Sequence, residues 1–146
     1  MAEKYIRFYW GSDGKGKLVR GNIVKNIDFE GHYVDWRKLD DRELPLAILN
    51  KLSEEMAEVI EAVQSGDRDE EIEEVADLLA IVESYAQVRG LDMAEINRAK
   101  DTKTAKRGSL ADGVWVNYCD LLPAGDKYDY WLNYFRSRPN GYIEEK

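Results

Sequence analysis

Apolar residues recur at helical spacing through the middle of the chain. From about Asp41 to Gln64 they fall at Leu49, Leu52, Met56, Val59 and Val63, three or four residues apart. Asp40 or Asp41 is placed to cap this helix, and Glu43 adds favourable negative charge in its first turn. Ser65-Gly66-Asp67 ends it, with Gly66 suited to a left-handed C-cap. A second helix is expected from about Asp69 to Arg89, with Ile72, Val75, Leu79, Val82 and Ala86 as its stripe and Gly90 as its stop. A third begins behind Asp92 and runs to about Arg107, before Gly108. Two short connections favour antiparallel neighbours.

The flanks are patterned differently. Tyr5-Ile6-Arg7-Phe8-Tyr9-Trp10 reads as a short strand or an aromatic plug, and Gly11 to Gly16 as a turn or mobile loop. Residues 21–39 read as irregular, with one short helix after Lys17. The tail from Ser109 to Lys146 holds 8 of the 16 aromatic residues. No internal repeat or low-complexity segment is visible.

Composition narrows the class. A chain of 146 residues with 44% hydrophobic and 34% charged residues is the size and make-up of one soluble domain. Its formal net charge of −8 disfavours general binding to nucleic-acid polymers. No apolar run is long enough for a transmembrane helix, and Met1 to Tyr5 lacks the apolar stretch of a secretory signal. Cys119 is the single cysteine, so a cytoplasmic location is the simplest expectation. Gly14-Lys15-Gly16 lacks the Ser or Thr that ends a Walker phosphate loop.

The charge is unevenly spread. Between Asp40 and Ala80 there are 14 acids and 3 bases, a net −11, and the rest of the chain is net +3. Within that segment, Glu54-Glu55-Met56-Ala57-Glu58 lies on the first long helix and Glu74-Val75-Ala76-Asp77 on the second. At about 100° per residue, Glu74 lines up with Leu78, Ile81 and Tyr85, with Asp77 beside it. Glu55 lines up with Leu44, Ile48 and Ala62, and Glu58 lies beside Ala47 and Ala62. Glu54 and Glu61 point more outward. Glu55, Glu58, Glu74 and Asp77 therefore lean toward the helix–helix packing.

Inward carboxylates repel one another and are costly to bury without compensation. Oxygen donors with no nearby His or Cys suit a hard ion, Mg²⁺ or Mn²⁺. On spacing and phase alone, a metal site and a solvated acidic face stand level. The third helix supplies the opposite charge: Arg98, Lys100, Lys103, Lys106 and Arg107 against Asp101. Lys100, Lys103 and Arg107 share about one face, suited either to outer phosphates or to solvent.

The spacing EExxE, fifteen residues, then ExxD resembles the all-α nucleoside triphosphate pyrophosphohydrolases, the superfamily of MazG proteins, dimeric dUTPases and phosphoribosyl-ATP pyrophosphohydrolase. Lys17-Leu18-Val19-Arg20 is similar to the KLVR opening of one phosphoribosyl-ATP-pyrophosphohydrolase-like subgroup, although Gly21, Asn22 and Val24 depart from its Asp, Lys and Pro. Arg107-Gly108-Ser109-Leu110 resembles that subgroup's RGGF, with Ser109 and Leu110 departing.

The resemblance spans about residues 17–110. It implies Mg²⁺, with Mn²⁺ able to substitute, held by Glu55, Glu58, Glu74 and Asp77. Glu54 and Glu55 are implied as the catalytic acids, with Glu54 a further ligand or the residue that positions the attacking water. Arg20, through the KLVR match, joins Lys100, Lys103 and Arg107 as substrate-binding residues. Trp115, Tyr118 and, more distantly, Trp10 are candidates for stacking on a base, against a packing role for the aromatic tail. His32 reads as a loop residue and Cys119 as a packing one.

The resulting expectation is an all-α helical bundle of MazG type, completed by association as a homodimer or homotetramer. One domain would span residues 1–146, with a core at 17–110, a short irregular N-terminal segment and an aromatic extension at 111–146. The implied activity is hydrolysis of an NTP or dNTP to the monophosphate and pyrophosphate, in sanitation or editing of the nucleotide pool. dGTP or a noncanonical dNTP are candidate substrates, and phosphoribosyl-ATP is the alternative. A non-enzymatic acidic helical interaction module is the alternative from another class.

Overall fold

The computed structural model describes residues 4–144. They form five α-helices and no strand: α1 (Gly21–Phe29), α2 (Glu43–Ser65), α3 (Arg68–Arg89), α4 (Met93–Arg107) and α5 (Tyr128–Arg136), with a 3₁₀ turn at Leu110–Asp112. The all-α expectation holds. They divide into two compact units between Thr102 and Lys103, within α4.

In the first unit the helix limits follow local chemistry. Asp40 Oδ1 accepts from the backbone N–H groups of Arg42 and Glu43 at 2.9 and 2.8 Å, holding donors that α2 itself cannot pair. Gly66 takes a left-handed conformation, φ 76°, and closes α2. Asp67 then caps α3 by accepting from Asp69 and Glu70 N–H groups. This two-residue connection returns the chain, so α2 and α3 pack against each other. Asp92 accepts from Ala94 N–H at 2.8 Å at the start of α4.

The packing of α2 on α3 uses the face that carries the acids. Ile48, Ala62 and Ala86 are buried, and Glu55 is buried with them. Much of the periodic stripes picked out by spacing lies elsewhere, although Ala86 of the second is buried and Leu52 and Val59 of the first are half-buried. Leu49, Met56 and Val63 of α2 and Ile72, Val75, Leu79 and Val82 of α3 are exposed. Both helices are apolar on more than one side; periodicity reports a stripe without saying which side meets the neighbour.

Tyr5 to Trp10 forms neither a strand nor a buried plug. Tyr5, Ile6, Phe8 and Tyr9 are exposed, and Trp10 is half-buried with Phe8 edge-on at 5.4 Å. Among the described residues no second strand exists to pair with this segment, and an unpaired strand leaves its backbone groups without partners.

The second unit holds the end of α4, the 3₁₀ turn and α5. Ser109 and Asp112 bond reciprocally across the turn. On α5, Trp131 stacks with Phe135 at 5.9 Å and meets Tyr134 edge-on at 5.6 Å. Arg138 lies 4.2 Å above the Tyr134 ring.

Candidate metal centre

Glu55 sits on α2 one turn before Glu58, and Glu74 faces both from α3. Each of the three offers a carboxylate oxygen, and these oxygens lie within 4.8 Å of one another. Glu55 is 3% exposed. Its Oε1 receives Lys51 Nζ at 2.5 Å, one turn back on the same helix. Its Oε2 is buried without any hydrogen-bond partner among the described residues. A buried acceptor left unpaired is unfavourable by about 1–3 kcal/mol, more when charged.

A cleft of about 300 Å³ opens onto these groups, lined by Trp10, Lys17 to Arg20, Ile23, Lys51, Glu55, Glu58, Glu74 and Asp77. The segment Lys17-Leu18-Val19-Arg20 lies across the acidic face. Lys17 Nζ contacts Glu54 Oε1 at 2.5 Å, and Arg20 pairs with Asp77. Lys51 also reaches Glu54, at 3.1 Å. A second, more apolar cavity of about 280 Å³ adjoins it, with Leu44, Ile48, Ala80, Ile81, Ser84 and Val88 in its walls.

Crowding splits the carboxylates electrostatically. Glu58 is pushed up to about 7, first by the adjacent Glu55 carboxylate, then by partial burial and by Glu74. Glu74 is raised by burial and by the charges of Glu55 and Asp77. For Glu55, burial opposes ionisation most strongly, but Lys51 and other neighbours outweigh it and hold the group below the usual carboxylate range. Glu54 is lowered chiefly by Lys17.

The donor set fits a hard divalent cation. It offers carboxylate oxygens only, from two helices, with one buried oxygen lacking a partner among the described residues. Glu55, Glu58 and Glu74 are brought together. Asp77 lines the same cleft but is engaged by Arg20, and Glu54 stands beside it through Lys17 and Lys51. Lys100 is exposed and faces Asn97 and Asp101 of its own helix. Lys103, Arg107 and Trp115 belong to the second unit, where all three are exposed. Tyr118, His32 and Cys119 are exposed as well. Sequence reading gave Lys17 only as part of the KLVR match and did not single out Lys51. The available signal was a lysine three and four residues before the acid pair on one helix.

A pH dependence follows for the metal-free protein. A carboxyl whose folded pKa lies above its unfolded value stabilises the fold at low pH, and that stability is lost as pH rises through the folded value. For Glu58 the window runs from the ordinary carboxylate range to about 7. The melting temperature of metal-free protein is expected to fall between about pH 5 and pH 8. Glu58→Gln should flatten most of that fall in differential scanning fluorimetry. A melting temperature that rises with pH across this window would contradict the arrangement.

No curated protein and no solved structure matches the chain. Residues 44–109, which contain both acidic helices, match the family model of the MazG nucleotide pyrophosphohydrolase domain. Over these residues the chain is similar to that family, consistent with the all-α nucleoside triphosphate pyrophosphohydrolase superfamily.

Proposed function

We propose that the protein hydrolyses an NTP or dNTP between the α and β phosphorus atoms, giving the monophosphate and pyrophosphate, with Mg²⁺ as cofactor and Mn²⁺ able to replace it. The observation that carries this reading is the unpartnered, buried Glu55 Oε2 beside Glu58 and Glu74. Glu55, Glu58 and Glu74 would hold the cation, with Asp77 joining once Arg20 leaves it. A divalent ion bound there supplies neutralisation of phosphate charge and a more acidic water.

The chain's own residues do the rest. Glu54, beside the cleft, is suited to be a further ligand or to position the attacking water. Arg20 carries a guanidinium at the cleft wall whose planar donors match a phosphate as well as a carboxylate. Lys100, Lys103 and Arg107 are further candidates for the outer phosphates, and Trp115 for the base. The apolar cavity beside the cleft suits the nucleoside end of such a substrate. A role in cleaning or editing the nucleotide pool fits this chemistry.

The second apolar faces of α2 and α3 support association into a homodimer or homotetramer, because two packed helices leave those faces in water. Light scattering on the purified chain should give a multiple of 16.9 kDa, and a strictly monomeric mass at high micromolar concentration would remove this assignment.

The activity is tested with a panel of NTPs, dNTPs and phosphoribosyl-ATP in Mg²⁺ or Mn²⁺. Monophosphate and pyrophosphate should appear in equal amounts. Glu58→Gln and Asp77→Asn should each lower pyrophosphate release by roughly a hundredfold or more, with circular dichroism unchanged. Orthophosphate and a diphosphate as products would place cleavage at the other anhydride bond. Full activity in either variant would reject these residues, and no product from any nucleotide would favour a non-enzymatic module.

A further inference from the structure

The cleft already contains cations of its own. Three bases, Lys17, Arg20 and Lys51, contact three of the five acids, Glu54, Asp77 and Glu55. Five carboxylates against three bases leave a formal charge of −2 when all are ionised. Lys51 differs from the other two. It sits on α2 itself and is the only residue in ion-pair contact with the buried Glu55 among the described residues. Its side chain is 21% exposed, against 31% for Lys17 and 65% for Arg20.

Local helix physics accounts for this lysine only weakly. On a helix, acid before base at a spacing of four is the favourable order, and Lys51 to Glu55 is the reverse. The contact is instead directed at a carboxylate that burial would otherwise leave charged and alone. Lys51 also lines both cavities, and its Nζ reaches Glu54 at 3.1 Å as well as Glu55.

We propose that Lys51 is a resident counter-ion: its ammonium group occupies the carboxylate site in the metal-free protein and is displaced from Glu55 when a divalent cation loads. This rests on the cation-binding reading of the same cluster. The lysine keeps the metal-free helix pair folded and, by the same contact, weakens metal binding. A lysine serving only to position Glu55 would strengthen metal binding, so the two roles differ in sign.

The experiment is a titration with Mn²⁺ alone, no nucleotide present, reading free Mn²⁺ by electron paramagnetic resonance. Lys51→Met and Lys51→Gln should bind Mn²⁺ roughly tenfold more tightly than wild type, the size expected when one nearby positive charge leaves a partly solvated site. Lys51→Arg, which keeps the charge, should stay within about threefold of wild type. Metal-free Lys51→Met should melt below wild type, and saturating Mn²⁺ should close that gap. Should Lys51→Met fail to fold without metal, Lys51→Gln gives the same comparison. Equal or weaker binding in both neutral variants, with wild type binding normally, overturns the role of Lys51 alone. If neither wild type nor any variant binds Mn²⁺, the cation site is lost and this inference falls with it.

Discussion

A carboxylate cannot leave water without a partner for its charge, and Glu55 has left water almost completely. It lies at the contact of α2 with α3, in line with Ile48 and Ala62, where an aliphatic side chain would ordinarily sit. Lys51 satisfies one oxygen, and no group among the described residues satisfies the other. Much else in the first unit follows from that placement. Glu58 and Glu74 are forced into the same small volume, and both resist ionisation. The Lys17 to Arg20 segment lies over the acidic face because its two bases find acids there.

This arrangement gives up packing stability, since well-packed apolar residues in place of a buried ion cluster are often neutral or stabilising. A structural helix pair would have little use for it. A site that must hold a cation, and then a polyanion beside it, needs acids and bases in one place with neither kind permanently satisfied. Exposed salt bridges at the cleft edge, such as Arg20 to Asp77, meet that need better than a hydrophobic wall.

The helices of the first unit were legible because their signals are local. Asp40, Gly66, Asp67, Gly90 and Asp92 each stop or start a helix through bonds within a few residues. The inward lean of Glu55, Glu58 and Glu74 was legible too, because helical phase is fixed by the backbone. The open side of the helix pair was not. Leu49, Met56, Ile72 and Leu79 have strong periodicity and face away from the α2–α3 contact, since two apolar sides compete for one neighbour. Lys17 was read only as part of a motif, and its contact with Glu54 spans 37 positions that no local pattern encodes. Lys51 was within reach of local reasoning but ran against the usual charge order. Helix α5 was also unforeseen, although Tyr130, Trp131, Tyr134 and Phe135 stand at helical spacing and contact one another through their rings.

The match to the MazG domain covers residues 44–109 and so includes every acid of the cluster, while Lys17, Arg20 and the aromatic tail lie outside it. We propose that a cation is held between α2 and α3, at the Glu55 oxygen that lacks a partner among the described residues. Anomalous diffraction from crystals grown with Mn²⁺ locates the ion without reference to activity. A peak among the carboxylates of Glu55, Glu58 and Glu74 is the predicted result. Crystals that carry Mn²⁺ elsewhere on the chain, with that cluster empty, would contradict the account.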